Sequence, residues 1–304
     1  MARKRLSAWH KRIIIAVLAA VASFTVSLVL PHNSNTPQAI SQQPGNSDTI
    51  ISAQAGTKQR VDKLKSSMLD SWKQQAEAKS LLVSAPARYR GTTINDAKLS
   101  RASQKVIALT FDDGPWPKYT EQVLDILKRE KVKGTFFVVG KMLQAYPQIA
   151  VRVAAEGHSI ANHTWHHWYH FFNEKAAAFE IDKTNELIYK TTGVTTTLFR
   201  PPGGILTNGL AAYAKKKNFT VVMWSADSKD YTRPSVPGLV NNVMRPSKSG
   251  GIVLMHDGGG NRSQTVAALP QIIAKFKKQG YRFVTVSELL ELQEKEKNTI
   301  TAKR

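Results

Sequence analysis

Two adjacent carboxylates, Asp112 and Asp113, stand ahead of a Gly-Pro turn in the run Thr110-Phe111-Asp112-Asp113-Gly114-Pro115. Successive residues at a strand end point to different sides, so one carboxylate can bind a metal while its neighbour faces another target. Two acids before Gly-Pro also make an ordinary turn and helix cap, and the pair alone supports both uses equally. The histidines shift that balance. Five of the eight in the chain lie between His158 and His170. His163 and His167 are four apart, the spacing that puts two imidazoles on one face of a helical turn. His163 with His166, and His166 with His170, are competing pairs. Two neutral imidazoles and one carboxylate leave coordination positions open, which is the catalytic rather than the structural arrangement for zinc. Histidines in a wet surface loop are the plainer explanation, but beside an Asp-Asp pair at a neighbouring strand end the metal reading is favoured.

The other candidates suit hydrolysis. Arg200 ends an expected strand and precedes Pro201-Pro202-Gly203-Gly204, a rigid loop with a bare backbone. Such a loop can present an amide N–H to a developing oxyanion. Arg200 itself can orient a carboxylate or form a structural salt bridge. His256 follows the apolar stretch 252–255. A carboxylate partner, Asp230 or Asp227, would raise its pKa and keep it protonated for donation. A His-Asp pair at a strand end also serves loop hydrogen bonding, so His256-Asp257 by itself decides nothing.

These residues need elements that bring them together. Residues 106–111 read as a buried strand and 119–131 as a helix with Val123, Leu124, Ile126 and Leu127 on one side. A second strand is expected at 134–139 and a second helix at 142–156, then a short strand near 158–161, the histidine-rich loop and a helix over 174–190. Further strands are expected at 195–199, 220–224, 252–255 and 282–286, with helices at about 208–217, 236–244, 266–278 and 287–294. Strands alternating with helices through short connections imply βαβ units round a parallel sheet. About seven such repeats predict an α/β fold of the distorted (β/α)7–8 barrel type, closed or nearly closed. Chemistry in such barrels sits at the carboxyl ends of the strands. Ionisable groups fall at five of those ends: Asp112 and Asp113; His163 to His167; Arg200; Asp227 and Asp230; His256 and Asp257. A shared site explains that clustering better than unrelated loops do.

The 304 residues hold one large domain plus appendages, with 42% hydrophobic and 21% charged residues, as in globular proteins. Absence of cysteine excludes disulfides and thiolate zinc sites, so any metal is held by histidine and carboxylate. A net charge of +21 favours polyanions or anionic surfaces. It does not mark a nucleic-acid module, because the lysines form scattered patches such as Lys215, Lys216 and Lys217 without an aromatic stacking platform. Arg3, Lys4, Arg5, Lys11 and Arg12 precede an uncharged run over 13–30. That run is long enough to span a bilayer, with the N-terminus inside and the bulk of the chain outside. A signal peptide cleaved after Ala20-Val21-Ala22 is the alternative and would make the protein secreted. The expected organisation is a basic tip and anchor over 1–30, a flexible tether over 31–100, a catalytic domain over 101–295 and a basic tail over 296–304. The tether includes a helical stalk at about 58–82, where Val61, Leu64, Met68, Trp72 and Ala76 form a stripe. That stripe suits packing on the domain, on a neighbour or on the membrane, and equally a plain spacer. Oligomeric state is not legible.

Taken in order, Thr110-Phe111-Asp112-Asp113-Gly114-Pro115, His163-Thr164-Trp165-His166-His167, Arg200-Pro201-Pro202-Gly203, Asp227-Ser228-Lys229-Asp230-Tyr231 and Leu254-Met255-His256 resemble the five motifs of the polysaccharide deacetylases. That group carries the NodB homology domain and forms carbohydrate esterase family four. The resemblance runs from about residue 105 to 290 and leaves out the first hundred residues. It implies a divalent metal, zinc first and cobalt or another ion as alternatives, on Asp113, His163 and His167. Asp112 would be the general base, held by Arg200. The Gly203 amide would share the oxyanion with the metal. His256, tuned by Asp230, would be the general acid, and Leu254 would line the pocket for the acetyl methyl.

Two departures from the family pattern bear on substrate choice. An aromatic residue is frequent where this chain has Gly203, so one groove wall is missing while the backbone donor survives. Tyr231 stands where tryptophan is frequent, which keeps an aromatic surface with a polar tip. The implied substrate is an N-acetylglucosamine-containing polysaccharide outside the cytoplasm, peptidoglycan above chitooligosaccharide, exopolysaccharide or O-acetyl xylan. Partners are then that glycan and the membrane through the N-terminal helix, with no specific nucleic acid. A non-catalytic wall-binding scaffold on the same fold is the rival, and it should have lost Asp112, a metal ligand or His256.

Overall fold

The computed structural model describes residues 59–60, 63, 66–67, 82–100 and 105–302. All belong to the second of two units, 1–56 and 57–304. The anchor expected over 13–30 and the tether over 31–56 lie outside the described residues. Among the described residues no helix is long and apolar enough to cross a membrane. Of the helix expected at 58–82, the described positions 59, 60, 63, 66 and 67 are helical and exposed.

Two short strands come first, β1 (Leu82–Val83) and β2 (Thr93–Ile94). Next is β3 (Val106–Asp112), buried at all seven positions, as expected of a strand covered on both faces. The chain continues through α1 (Tyr119–Glu130), β4 (Thr135–Val138), α2 (Gly140–Ala145), α3 (Pro147–Ala155) and β5 (Ser159–Asn162). Then come α4 (Glu174–Thr192), β6 (Thr195–Thr196), β7 (Leu198–Phe199), α5 (Leu210–Lys216), β8 (Thr220–Val222) and β9 (Ala226–Asp227). The last elements are α6 (Val236–Met244), β10 (Gly251–His256), α7 (Ser263–Lys278), β11 (Arg282–Phe283) and α8 (Val286–Ala302).

Every ladder between these strands is parallel. The main sheet runs β2-β8-β7-β5-β4-β3-β10-β9, with β11 beside β3 and with β1 and β6 as a separate pair. The α/β expectation is met, but the barrel is incomplete because the end strands β2 and β9 do not pair with each other. The cause is the segment 220–227, which changes partners in mid-course. β8 pairs with β7 and β2, whereas β9 pairs with β10. At the changeover the Met223 N–H donates to Ile94 O at 2.8 Å and the Ser225 N–H to Ile252 O at 3.0 Å.

Register then fixes the site. Asp112 pairs with His256 on one side and with Phe137 on the other. Asn162, just before His163, pairs with Phe199, just before Arg200. The backbone ladder therefore sets the base candidate beside the acid candidate, and the histidine loop beside the arginine.

Three boundaries differ from expectation. The tether stops well short of residue 100, because β1 and β2 are woven into sheets and Val83, Tyr89 and Ile94 are buried in the core. Their apolar side chains are too few and too irregular to show periodicity, so they read as loop. The helix expected over 142–156 is two helices, since Pro147 has no N–H to continue the ladder and instead opens α3. The basic tail expected from 296 is a continuation of α8 to Ala302. Ile94→Ala in the full chain is expected to lower the free energy of unfolding by about 2–5 kcal/mol. Urea denaturation measures it, and a loss below about 0.5 kcal/mol, the size of an ordinary surface change, would return residues 82–100 to the tether.

Candidate active site

Arg200 is wholly buried, and its guanidinium is satisfied from two strands, β3 and the end of β8. Nε donates to Val222 O at 2.9 Å and Nη2 to Met223 O at 3.0 Å. Nη1 donates to Thr110 Oγ1 at 2.9 Å and to Asp112 Oδ1 at 2.7 Å. The guanidinium carbon also lies 4.0 Å from the Phe137 ring centroid, a cation–π contact. Burial pulls the arginine's pKa down while the charge and hydrogen bond of Asp112 push it back up. One oxygen of Asp112 is thereby fixed, leaving Oδ2 to face the site 3.7 Å from His163 Nε2.

Asp113, His163 and His167 converge, with one possible donor atom from each lying within 4.8 Å of the others. His167 Nε2 is 3.1 Å and His163 Nε2 3.5 Å from Asp113 Oδ1. That oxygen is buried without a hydrogen-bond partner. His163 Nδ1 lies 2.7 Å from Arg200 O; donating its proton to that carbonyl leaves a lone pair on Nε2 for a metal. Burial alone would raise the pKa of Asp113, but the close approach of the two imidazoles holds it well below the usual carboxylate value. The spot calls for positive charge. A carboxylate and two imidazoles with an orphaned oxygen fit a divalent ion.

The backbone delivering these rings is not the helical turn expected from the spacing. Residues 163–170 form a loop, and Thr164 and His167 take positive φ of 69° and 62°. Buried Glu180 of α4 pins the loop by accepting the backbone N–H groups of Trp165 and His166 at 2.9 and 2.8 Å. Its other oxygen lies 2.6 Å from His166 Nδ1. His166 also stacks flat on Trp168, centroids 4.0 Å apart. His166 is thus committed to holding the loop, and His170 is exposed beside Phe171 O. Of the competing pairs, only His163 with His167 reaches Asp113.

The His256 ring is hydrogen-bonded to Asp230. Its Nδ1 lies 2.6 Å from Asp230 Oδ1, and Asp230 Oδ2 accepts the His256 N–H and the Thr265 hydroxyl, each at 2.8 Å. Asp227, the alternative partner, accepts the Tyr231 hydroxyl at 3.1 Å and the Lys229 N–H at 2.8 Å instead. Burial lowers the imidazole's pKa, but the hydrogen bond and charge of Asp230, with Asp112 and Asp113 beyond, overcome this and push it up to about 9. His256 is therefore cationic at neutral pH.

These groups line one cleft of about 610 Å³, together with Gly203, Tyr231 and Leu254. All ten residues expected at the site are thus on or directly behind one surface. Sequence reasoning missed Arg262 and Glu180, and gave Asp257 no role beyond its place at a strand end. Arg262, also lining the cleft, donates from Nε to Gly258 O at 2.6 Å and reaches 3.8 Å from Asp113 Oδ2. Asp257 is buried, accepts the Thr120 hydroxyl at 2.5 Å, and has its pKa raised to about 7, first by burial and then by the charges of Asp113 and Asp112. Glu180 left one readable signal: it is a charge on the buried face of α4, in line with Ala177, Ile181 and Thr184.

Comparisons with known proteins identify relatives of the chain and of its fold. The polysaccharide deacetylase family model matches residues 100–222. A peptidoglycan-N-acetylglucosamine deacetylase of Bacillus cereus is 47% identical over 191 residues, covering 62% of this chain and 89% of that protein. A solved peptidoglycan N-acetylglucosamine deacetylase has a TM-score of 0.62 at 34% identity, over 66% of this chain and 94% of that one. A Bacillus anthracis protein described as a CE4 family pseudoenzyme has a TM-score of 0.59 at 30% identity, over 65% and 68%. Likeness of fold spans enzymes and a pseudoenzyme, so activity is argued from the residues.

His163→Ala and His167→Ala are each expected to weaken zinc binding by at least about 100-fold, the upper end of what loss of a supporting partner does. His166→Ala should weaken it by less than about 10-fold. Competition against a chromogenic zinc chelator reads both, and equal losses at 163 and 166 would mean that the triad is misassigned.

Proposed function

The chain belongs to the polysaccharide deacetylase family, and from that membership we propose that it hydrolyses the N-acetyl groups of peptidoglycan, acting on the carbon–nitrogen bond of the acetamido group. The observation that carries this reading is the joint presence, on one cleft, of an arginine-held Asp112, the Asp113, His163 and His167 triad, and a cationic His256. A scaffold would have no use for all three. Peptidoglycan is favoured because the B. cereus relative is a peptidoglycan-N-acetylglucosamine deacetylase and because a chain of net charge +21 is drawn to anionic wall polymers.

Asp112 Oδ2 accepts the proton of a water as the water attacks the acetamide carbonyl carbon. Arg200 holds the other oxygen of that carboxylate and prevents its rotation. A divalent ion on Asp113, His163 and His167, zinc being the best match to the donor set, polarises the carbonyl and acidifies the water when bound. The Gly203 N–H, on the rim of the cleft, receives the developing oxyanion. His256, protonated through Asp230, gives its proton to the leaving nitrogen as the C–N bond breaks, so that acetate and a free amine result. Leu254, buried at the cleft wall, shapes the space for the methyl group.

The same reading has the domain working outside the cytoplasm, tethered through residues 13–30 or released if that segment is cleaved. The support is the basic cluster ahead of the apolar run.

Zinc-loaded protein is expected to release acetate and free amine in equal amounts from purified peptidoglycan, and a chelator should stop it. No release from any N-acetylated glycan would sink the proposal. Asp112→Asn should lower turnover by about 10²–10⁴-fold, the usual range for a general base, while zinc binding persists. Because His256 must be protonated, activity should fall as pH rises through about 9. Asp230→Asn removes the interaction that raises that pKa, so the alkaline limb should move to lower pH; a limb that stays in place would reassign the acid.

A further inference from the structure

Gly203 leaves one side of the cleft without a side chain, yet the space above it is filled. Its φ is +61°, and a Cβ built there would lie 2.9 Å from Tyr169 Cε1 and 3.3 Å from Cδ1. The Tyr169 ring lies over the glycine, lines the cleft beside Asp113 and His167, and remains 57% exposed. It stands edge-on to the metal-ligand candidate His167, with centroids 5.3 Å apart at 81°. Tyr231 has the matching relation to the acid candidate, 5.7 Å from His256 at 82°, and is 50% exposed. Each of the two histidines is flanked by a half-exposed tyrosine on the same cleft.

The segment bearing Tyr169 is fixed on both sides. Glu180 holds Trp165 and His166 before it. After it, the Phe172 N–H donates to Asn208 O at 2.8 Å, and the His170 ring stacks on Phe172 at 4.3 Å. A ring that only plugged a gap would be buried. This one is held in place with much of its surface open, and an amphipathic aromatic surface in that state suits a pyranose ring, whose C–H face stacks while its hydroxyls meet the phenol.

We propose that Tyr169 is a glycan-positioning residue. Lying across Gly203, it supplies from the histidine loop the wall that this position lacks, and it binds a sugar unit of an N-acetylated chain on the His167 side while Tyr231 binds on the His256 side. This rests on the glycan deacetylase reading. The consequence is a preference for oligomers over a single acetylated sugar.

The test uses the full chain loaded with zinc, a long chitin oligomer, single N-acetylglucosamine and a small acetate ester. Tyr169→Ala is expected to raise KM for the oligomer about 10-fold, the scale of one lost aromatic contact, with kcat falling less than about 3-fold. Tyr169→Phe should recover most of the difference, and the small ester should show no KM change. Zinc affinity should stay within about 3-fold, because Tyr169 ligates nothing. An oligomer KM that Tyr169→Ala leaves alone overturns the proposal. So does a joint loss of kcat and zinc affinity, which would make Tyr169 a support for His167. Calorimetric binding of the oligomer separates this from the function itself. A parent that binds but does not hydrolyse, with binding weakened about 10-fold in Tyr169→Ala, keeps the glycan site and sinks the deacetylase reading. A parent that neither binds nor hydrolyses sinks both.

Discussion

The ion pair of Arg200 with Asp112 is the constraint on which the rest of the site is built. Both residues are buried, and taking two charges out of water is unfavourable unless nearly every donor finds an acceptor. Here the donors do. The guanidinium joins β3 through Thr110 and Asp112 to the end of β8 through the carbonyls of Val222 and Met223. Its own backbone carbonyl meets His163. One residue therefore orients the base, fixes the ring orientation of a metal ligand and satisfies backbone groups where the segment 220–227 leaves its ladder. Removing one partner of such a pair typically destabilises by about 3–5 kcal/mol, since the other charge stays behind.

Around that pair the rim is arranged by charge. Asp112 and Asp113 line the cleft and Asp230 lies buried behind it, and each has a different partner: Arg200 for the first, two imidazoles for the second, His256 for the third. Asp257 has none, and its carboxyl rises to about 7, by burial first and by its acidic neighbours second. The base is thus oriented by Arg200, and the acid kept protonated by Asp230, before any substrate arrives.

Much of this was legible in the sequence because the ladder preserves it. The runs at 106–111 and 252–255 are apolar and end in Asp112 and His256, and the parallel register makes those two partners. The pairing of His163 with His167 was readable by spacing, though for the wrong backbone: two positive φ values bring the rings together, not a helical turn. What stayed hidden depends on contacts distant in sequence. β1 and β2 are two residues each, too short for any periodicity, and exist because β6 and β8 accept them. Glu180 acts on residues 14 and 15 positions earlier, and Tyr169 lies over a glycine in another loop. The charge of Glu180 on a buried helix face is legible, but not what it holds, and the contact of Tyr169 leaves no local pattern at all.

The placement of Arg200 also bears on how a protein of this kind can change over generations. A residue that serves chemistry alone can be lost while the chain still folds, leaving a silent copy with the old shape. Arg200 is not free in that way, since its guanidinium also holds the carbonyls at the interruption of the sheet. A change at position 200 therefore costs stability as well as activity. A folded but idle descendant arises more readily elsewhere on the rim, at the histidines or at His256.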